Sequence, residues 1–492
     1  MHCIVGEMAT QRDQKRGGSP NRTGASNSVP PLRAPVRSRR ASLAPHAGAV
    51  INLGVNAMKV YTAIDPSGSL RAAIQRVKAP SESHMAVWTI DGKEVRKISG
   101  ADIDRINHEK YGETSQRMTW FDFQTTLRDQ LPDEIIHTRC ALHGFEQTDD
   151  GVSVHFCEGG DVTDVRCQLL LGVDGVYSQV RRHMTGESEQ LELTRRVIFR
   201  GTSTVAEWDG PVDAFMGADE FMVHTLGGPF GSCMHSVFND LLTFAAVLPL
   251  EVVERAGVDV LYDDRELRAH LATQDGEHDT QTGGARAVKG ILLRLLGPFH
   301  DQAKGLVQGM KAENIRVYND LMCLDPARAK WSDGRVALLG DAMHSMGVTG
   351  VGIGLAVEDA WEVASAVKEH GICEAALSAY VESRRPRVKT VYDKMIEMRD
   401  QAAAPTPQSA PEFMAKGPAG GGPAQNPPPQ GAVPQGAKGG GAAPGQGPPG
   451  GQMPPGAHFQ MFETWANAYL AEATWEPLVA SAPREKVASA AN

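Results

Sequence analysis

The string Gly334-Arg335-Val336-Ala337-Leu338-Leu339-Gly340-Asp341-Ala342-Met343-His344 narrows the fold more than any other stretch of this chain, because Gly350-Val351-Gly352-Ile353-Gly354 and Glu358-Asp359-Ala360 come after it. A short apolar run that ends in Gly-Asp, then a tight loop, then glycines opening a helix, reads as a strand-loop-helix crossover in a parallel sheet. Ala356, Ala360, Val363 and Val367 keep helical spacing, Lys368 and His370 stand in the last turn, and Gly371 marks the stop. The open N-terminus of such a helix offers unpaired N–H groups and a positive dipole end to an anionic or electron-rich ligand. A Gly-Asp pair alone is read equally well as an ordinary crossover whose glycines serve close packing.

A second string, Leu171-Gly172-Val173-Asp174-Gly175-Val176-Tyr177-Ser178-Gln179-Val180-Arg181, lies about 165 residues upstream. Its carboxylate, on a tight Asp-Gly turn at a strand end, can accept hydrogen bonds from a cofactor while Gly175 permits close approach. Val152 to Phe156 alternates as a strand after the Asp149-Asp150-Gly151 turn, Gln168 to Gly172 is a short apolar strand, and Arg335 to Leu339 is another. Between about 186 and 325 the text is less regular, with short apolar runs such as Val197 to Phe199 and Leu242 to Leu248. That pattern suits a second domain inserted into the first.

Together the two strings resemble fingerprints of the FAD-dependent monooxygenases of the aromatic-ring hydroxylase type, a family with a p-hydroxybenzoate hydroxylase-like fold of which zeaxanthin-epoxidase-like enzymes are one branch. The later string is similar to that family's GDAxH, loop, GxG and acidic pair; the earlier one resembles GADGxxSxVR. The resemblance implies an α/β fold: an FAD/NAD(P)-binding Rossmann-like domain, N-terminally incomplete, with an inserted mainly antiparallel β substrate domain. It implies that Gly340 and Asp341 hold the ribityl and pyrophosphate region, that Gly350, Val351 and Gly352 face the flavin pyrimidine, and that Asp174 and Gly175 belong to the same cofactor site. Arg117, in Arg117-Met118-Thr119-Trp120, stands near the place of a flavin-contacting arginine, although helical phase gives that slot to Trp120. Two departures are visible: Met346-Gly347-Val348-Thr349 replaces the family's usual proline, and the loop is one residue shorter. Ala376 to Val388 is similar to the family's closing helix, and its Arg384, Arg385 and Arg387 are read as solvated charge with no catalytic part. His344 is read as a structural or solvated loop histidine, not as a general base. No residue is assigned as catalytic or as a metal ligand, because the resemblance gives the oxygen chemistry to FAD, with NAD(P)H as reductant and the protein positioning a small ring-bearing substrate.

The resemblance starts close to residue 44 and covers about 355 of 492 residues. No GxGxxG follows a strand and opens a helix, so the family's first strand and Gly-rich loop are expected to be missing. A truncated gene model is favoured over a protein that binds FAD poorly or not at all, since a lost central strand leaves a gap in the sheet. Residues 1–43, with seven arginines and only Glu7 and Asp13 as acids, read as a transit-like or disordered leader, or as a misplaced start. Then come the FAD-binding domain in two parts (44–185 and 326–402) around the inserted substrate domain (186–325), a Pro/Gly-rich linker (403–457), and a short helix and tail (458–492). That last helix, spaced by Phe459, Phe462, Trp465, Ala466, Tyr469 and Leu470, is expected to dock on the body, a partner being the alternative. A net charge of -10 repels nucleic acid, no apolar run is long enough to span a membrane, and seven cysteines without a CxxC pair signal neither disulfides nor zinc. Chloroplast or cytoplasm is the expected location. The expected function is FAD-dependent hydroxylation or epoxidation of an apolar ring-bearing substrate with O2. Its rival is an inactive or truncated relative that acts as a binding protein.

Overall fold

The computed structural model describes residues 3–5, 50–78, 83–138, 140–158, 161–186, 191–208, 210, 216, 220–238, 240–256, 282–323, 325–403 and 465–475. In chain order the first strands are β1 (Cys3–Val5), β2 (Val50–Leu53), β3 (His84–Thr89), β4 (Glu94–Ser99) and β5 (Gln116–Thr119). Next come β6 (Ala141–Thr148), β7 (Gly151–Glu158), β8 (Asp161–Cys167), β9 (Leu170–Gly172) and β10 (Leu191–Thr204). The last are β11 (Glu220–Leu226), β12 (Ser232–Phe238), β13 (Leu241–Pro249), β14 (Ile315–Cys323), β15 (Ser332–Asp333) and β16 (Val336–Leu338).

The nucleotide half is built on the sheet β1-β9-β16-β15, in which β1, β9 and β16 run parallel. Its central strands are short and apolar because both faces are covered: Leu170, Val336, Ala337 and Leu338 are all fully buried. Gly172 has no alternative there, since a Cβ would come within 2.9 Å of Val180 and Leu338. The antiparallel sheet β6-β7-β8 adds Val152 and Val154 to the same core, which also receives the helices Gly352–His370 and Glu374–Ala403.

β1 corrects the expectation of a missing first strand. Cys3–Val5 falls inside the segment read as a leader, yet it pairs with β9 in parallel, Ile4 opposite Leu171. Three residues beside an arginine-rich stretch are too few for periodicity to register. The remainder of the leader, residues 404–457 of the linker, and residues 458–464 and 476–492 of the C-terminal segment lie outside the described residues.

The other half is a seven-stranded sheet, β14-β10-β13-β12-β11-β3-β4. It is antiparallel except where β11 meets β3. Its odd-numbered residues on β10 and β14, such as Val197, Phe199 and Val317, pack under the helices Thr282–Leu295 and Asp301–Gly309. The sheet extends beyond the 186–325 insert, because β3 and β4 from the first nucleotide segment complete it. A small core joins the halves, with Leu53, Met58 and Met118 meeting Phe238 of β12 and Val357 of the helix Gly352–His370.

At the C-terminal end, residues 465–471 form the expected helix and it docks: Ala466 and Leu470 are buried. Arg387 donates to Leu470 O (3.0 Å) and Lys59 to Ala471 O (2.7 Å).

Candidate functional site

Two turns leave the same edge of the parallel sheet. β16 lies beside β9 with Leu338 opposite Gly172, and Leu339 N–H donates to Gly172 O (2.9 Å), so Asp174-Gly175 and Gly340-Asp341 emerge side by side. Open α/β sheets collect ligands at this edge, beyond the carboxyl ends of their strands. Buried Arg181 ties the turns together, its guanidinium donating to Val176 O on one and Ala342 O on the other.

The two carboxylates face opposite ways. Asp174 is buried; it accepts from Ser178 Oγ (2.5 Å), Gln179 N (2.7 Å) and Val180 N (3.2 Å), closing the open end of the helix Gln179–Thr185. The carboxylate expected at the cofactor site thus caps the N–H groups of its own downstream loop. Gly175, with φ 78° and nothing within 4 Å of a Cβ, remains on the open side of the turn. Asp341 is exposed, and among the described residues its carboxylate accepts no hydrogen bond. It is nevertheless hemmed in: burial raises its pKa above the usual carboxylate value, against the pull of His344.

Below the turn lies a charged network that the sequence reading missed. Gly340 N–H donates to Asp359 Oδ2 (2.8 Å), which also meets His344 Nε2 at 2.6 Å. Arg384 donates to Asp359 Oδ1 and Glu358 Oε2, each at 2.7 Å, and Arg387 and Asn56 complete Glu358. Arg384 is 1% exposed, which overturns its assignment to solvated surface charge. Burial pushes Asp359 up, but His344 and Arg384 outweigh it and hold the carboxyl at about 2. The signal in the sequence was the Glu-Asp pair itself: two adjacent acids inside an apolar helix need buried cations.

The loop to the glycines is fixed from the other half. Asp320 of β14, buried and paired with Arg196 and Thr194, accepts Val348 N–H (2.9 Å) and lies so close to Gly347 (φ 69°) that a Cβ would strike its carboxylate. This contact stands where the family's proline would. Gly350 (φ 79°) is exposed, Val351 is buried by its side chain, and the 19-residue helix from Gly352 has no side-chain cap. Asp341 Oδ1 lies 3.5 Å from where a Cβ on Gly352 would be, so the exposed carboxylate and the open helix end border one space. Thr349 Oγ1 is buried beside them with no hydrogen-bond partner, as is Asn52 Oδ1 on β2. Cross-strand from Asn52, Arg117 lies over the Phe221 ring at 5.4 Å. Arg117 therefore stands at the junction of the halves, in contact with the large sheet.

These residues fit the ribityl and flavin end of a dinucleotide: an open helix end, an accessible acceptor and orphaned polar atoms. For the adenosine end, the described residues hold no helix opening directly after β1.

Residues 315–395 match the family model for an FAD binding domain. The chain is 25% identical over 387 residues to a salicylate hydroxylase of Pseudomonas putida, covering 75% of this chain and 81% of that one. It is 24% identical over 351 residues to 6-hydroxynicotinate 3-monooxygenase of Bordetella bronchiseptica, covering 70% and 79%. Among solved structures it shares its fold with Klebsiella pneumoniae HpxO complexed with FAD and uric acid (TM-score 0.53, 20% identity, 72% and 79% covered). It also shares it with CtdE in complex with FAD and substrate (TM-score 0.55, 14% identity, 75% and 86% covered).

Proposed function

We propose that this relative of the FAD-dependent aromatic hydroxylases is a monooxygenase that hydroxylates or epoxidises a small ring-bearing compound, using O2 and NAD(P)H. The observation that carries the reading is the pairing of an exposed, unpartnered Asp341 with the uncapped helix end at Gly350–Gly352, both held by a buried network. When bound, FAD would supply the oxygen-activating chemistry. The protein's own work is placement. Asp341 would hold the ribityl hydroxyls as an acceptor, and the N–H groups at the start of the helix Gly352–His370 would stabilise negative charge that develops on the flavin. Asp359 and His344 keep the Gly340-Asp341 turn from collapsing, and the seven-stranded sheet covers the site and excludes water.

A second reading, an inactive relative that binds a partner, is favoured by one observation: after β1 the sequence runs Gly6-Glu7-Met8-Ala9-Thr10, which is not a GxGxxG loop.

The test is the visible absorbance of the full chain with added FAD, and then NAD(P)H and O2 consumption on ring substrates. Flavin retained through desalting and substrate-dependent consumption are expected. Colourless protein after incubation with FAD would reject the enzyme reading in favour of the second.

A further inference from the structure

We infer that Asp320 is a positioning residue for the flavin, and that a strained bulge in β10 holds its carboxylate against the loop that opens the site helix. This rests on the reading of the site as an FAD site.

The strain is local. β10 and β14 pair in register as far as Leu193 and Leu321, and again from Val197 and Asn319, but between these points Thr194, Arg195 and Arg196 face the single residue Asp320. Arg195 carries the bulge with φ 60°, the one positive φ of a non-glycine among the described residues. A side chain opposes that backbone angle, so the conformation persists only where its surroundings offset the cost. The Arg195 side chain does not supply the offset: it is exposed and meets Glu251 at 3.1 Å on the surface, a pairing that adds little stability. Its neighbours do. A regular ladder would set one residue opposite Asp320, whereas the bulge brings two side chains to one oxygen: Thr194 Oγ1 donates to Asp320 Oδ2 (2.8 Å) and Arg196 meets the same atom at 2.5 Å.

That arrangement reserves Oδ1 for the other half of the molecule, where it accepts Val348 N–H (2.9 Å). The same strand end fastens the start of the loop, since Cys323 N–H donates to Ser345 O (2.7 Å) and Met322 bridges to Met346. β14 therefore templates residues 345–348, and Asp320 makes the last of these contacts before Gly350 turns the chain into the open helix end. Gly347 and Gly350 both have positive φ, and glycine brings no conformational preference of its own to fix such a loop. What the loop presents is Thr349, 2% exposed, whose hydroxyl has no hydrogen-bond partner among the described residues. A buried hydroxyl left unpaired is costly unless a ligand completes it, so the loop is shaped for a group from outside the chain, and its shape comes from Asp320.

The test is FAD affinity, read by fluorescence quenching of the full chain, for the native protein, Asp320→Asn, Arg195→Gly and Arg195→Val. Hydrogen exchange of the 345–350 segment is followed without FAD in the same four proteins. The two Arg195 variants lose the same surface side chain and differ in one respect: glycine accepts φ 60° and a β-branched residue opposes it. Arg195→Val is expected to bind FAD about tenfold more weakly than Arg195→Gly and to exchange faster at 345–350. Asp320→Asn keeps an acceptor for Val348 but loses the charge that Arg196 grips, and its FAD affinity is expected to fall about tenfold. Where Arg195→Val does not fold, Gly347→Ala takes its place, because its Cβ would displace the Asp320 carboxylate from the loop side; it carries the same expectation. Equal FAD affinity in the two Arg195 variants would overturn the inference. So would an Asp320→Asn protein that melts lower yet keeps native FAD affinity and native exchange, because Asp320 would then serve the fold alone. Failure of the native chain to take up FAD would reject the FAD reading instead, and the exchange comparison would still decide whether Asp320 holds the loop.

Discussion

Asp174 and Asp341 end neighbouring parallel strands in nearly the same turn, yet one is closed and the other open. Asp174 is buried and held by its own loop, whereas Asp341 is exposed and its carboxylate accepts no hydrogen bond among the described residues. The difference comes from the backbone downstream of each turn. After Asp174-Gly175 a helix begins within five residues and its N–H groups capture the carboxylate. At the other turn Asp341 is itself the first residue of the short helix Asp341–His344, and Asp359 takes the N–H of Gly340 before it, so the Asp341 carboxylate accepts from no N–H among the described residues. A strand-end acid is thus a structural cap or a ligand acceptor according to which N–H groups lie nearest, and the motif letters alone do not say which.

The largest effect should come from removing the support under the open side. Arg384→Met leaves Glu358 and Asp359 buried with less compensation and is expected to destabilise the protein by about 3–5 kcal/mol in urea unfolding. A variant as stable as the native protein would show that the open turn does not depend on this network.

Asp359 adds a pH signature. Its folded pKa is depressed, so its contribution is present above the unfolded value near 3.8 and is lost as pH falls towards about 2. The Asp359→Asn protein should be less stable at neutral pH by a comparable amount and should lack that acid limb when melting is tracked between pH 5 and 2. Parallel pH curves for the two proteins would remove Asp359 as the titrating group.

Asp341→Asn separates the two aspartates by ligand. FAD affinity, read from fluorescence quenching, should fall about tenfold or more through loss of a charged acceptor. Stability should move the other way. A raised folded pKa means that ionised Asp341 weighs against the fold at neutral pH and ceases to do so as pH falls through that pKa, so the melting temperature without FAD should not drop. A lower melting temperature with unchanged FAD affinity would make Asp341 another closed carboxylate.

The smallest effect is the mirror case. Asp174→Ala should cost about 1–2 kcal/mol as a lost helix cap, with a much weaker effect on FAD binding than Asp341→Asn. A loss of FAD affinity larger than that of Asp341→Asn would erase the contrast between the turns.

Much of this was legible in the sequence. The strand, Gly-Asp turn and helix at 336–370 and the strand before Asp174 fall where spacing put them, because apolar period and glycine position are local signals. The family resemblance was likewise carried by two local strings. What the sequence hid was long-range. Arg384 looks like surface charge until its helix is laid against Glu358 and Asp359, 26 and 25 residues earlier. Asp320 has no motif around it and acquires its role only when β14 is brought against the glycine loop. β1 was overlooked because its partner strand is far along the chain, Cys3 pairing with Leu170. The recruitment of β3 and β4 into the large sheet has the same origin, since pairing across domains leaves no periodic trace.

The docked segment at 465–475 bears on the order in which the protein is made. Lys59 reaches Ala471 across 412 positions of chain, and Arg387 holds Leu470 in the same clasp. At ordinary translation rates of about 5–20 residues per second, the helix bearing Lys59 waits roughly 20–80 s on the ribosome for the partner that covers it. Over that interval Lys59 has no carbonyl from this segment, and neither Ala466 nor Leu470 yet covers the core they will join. Among the described residues, the contacts of 465–475 are thus the last that synthesis makes available, and they fall on a helix made some 400 residues earlier.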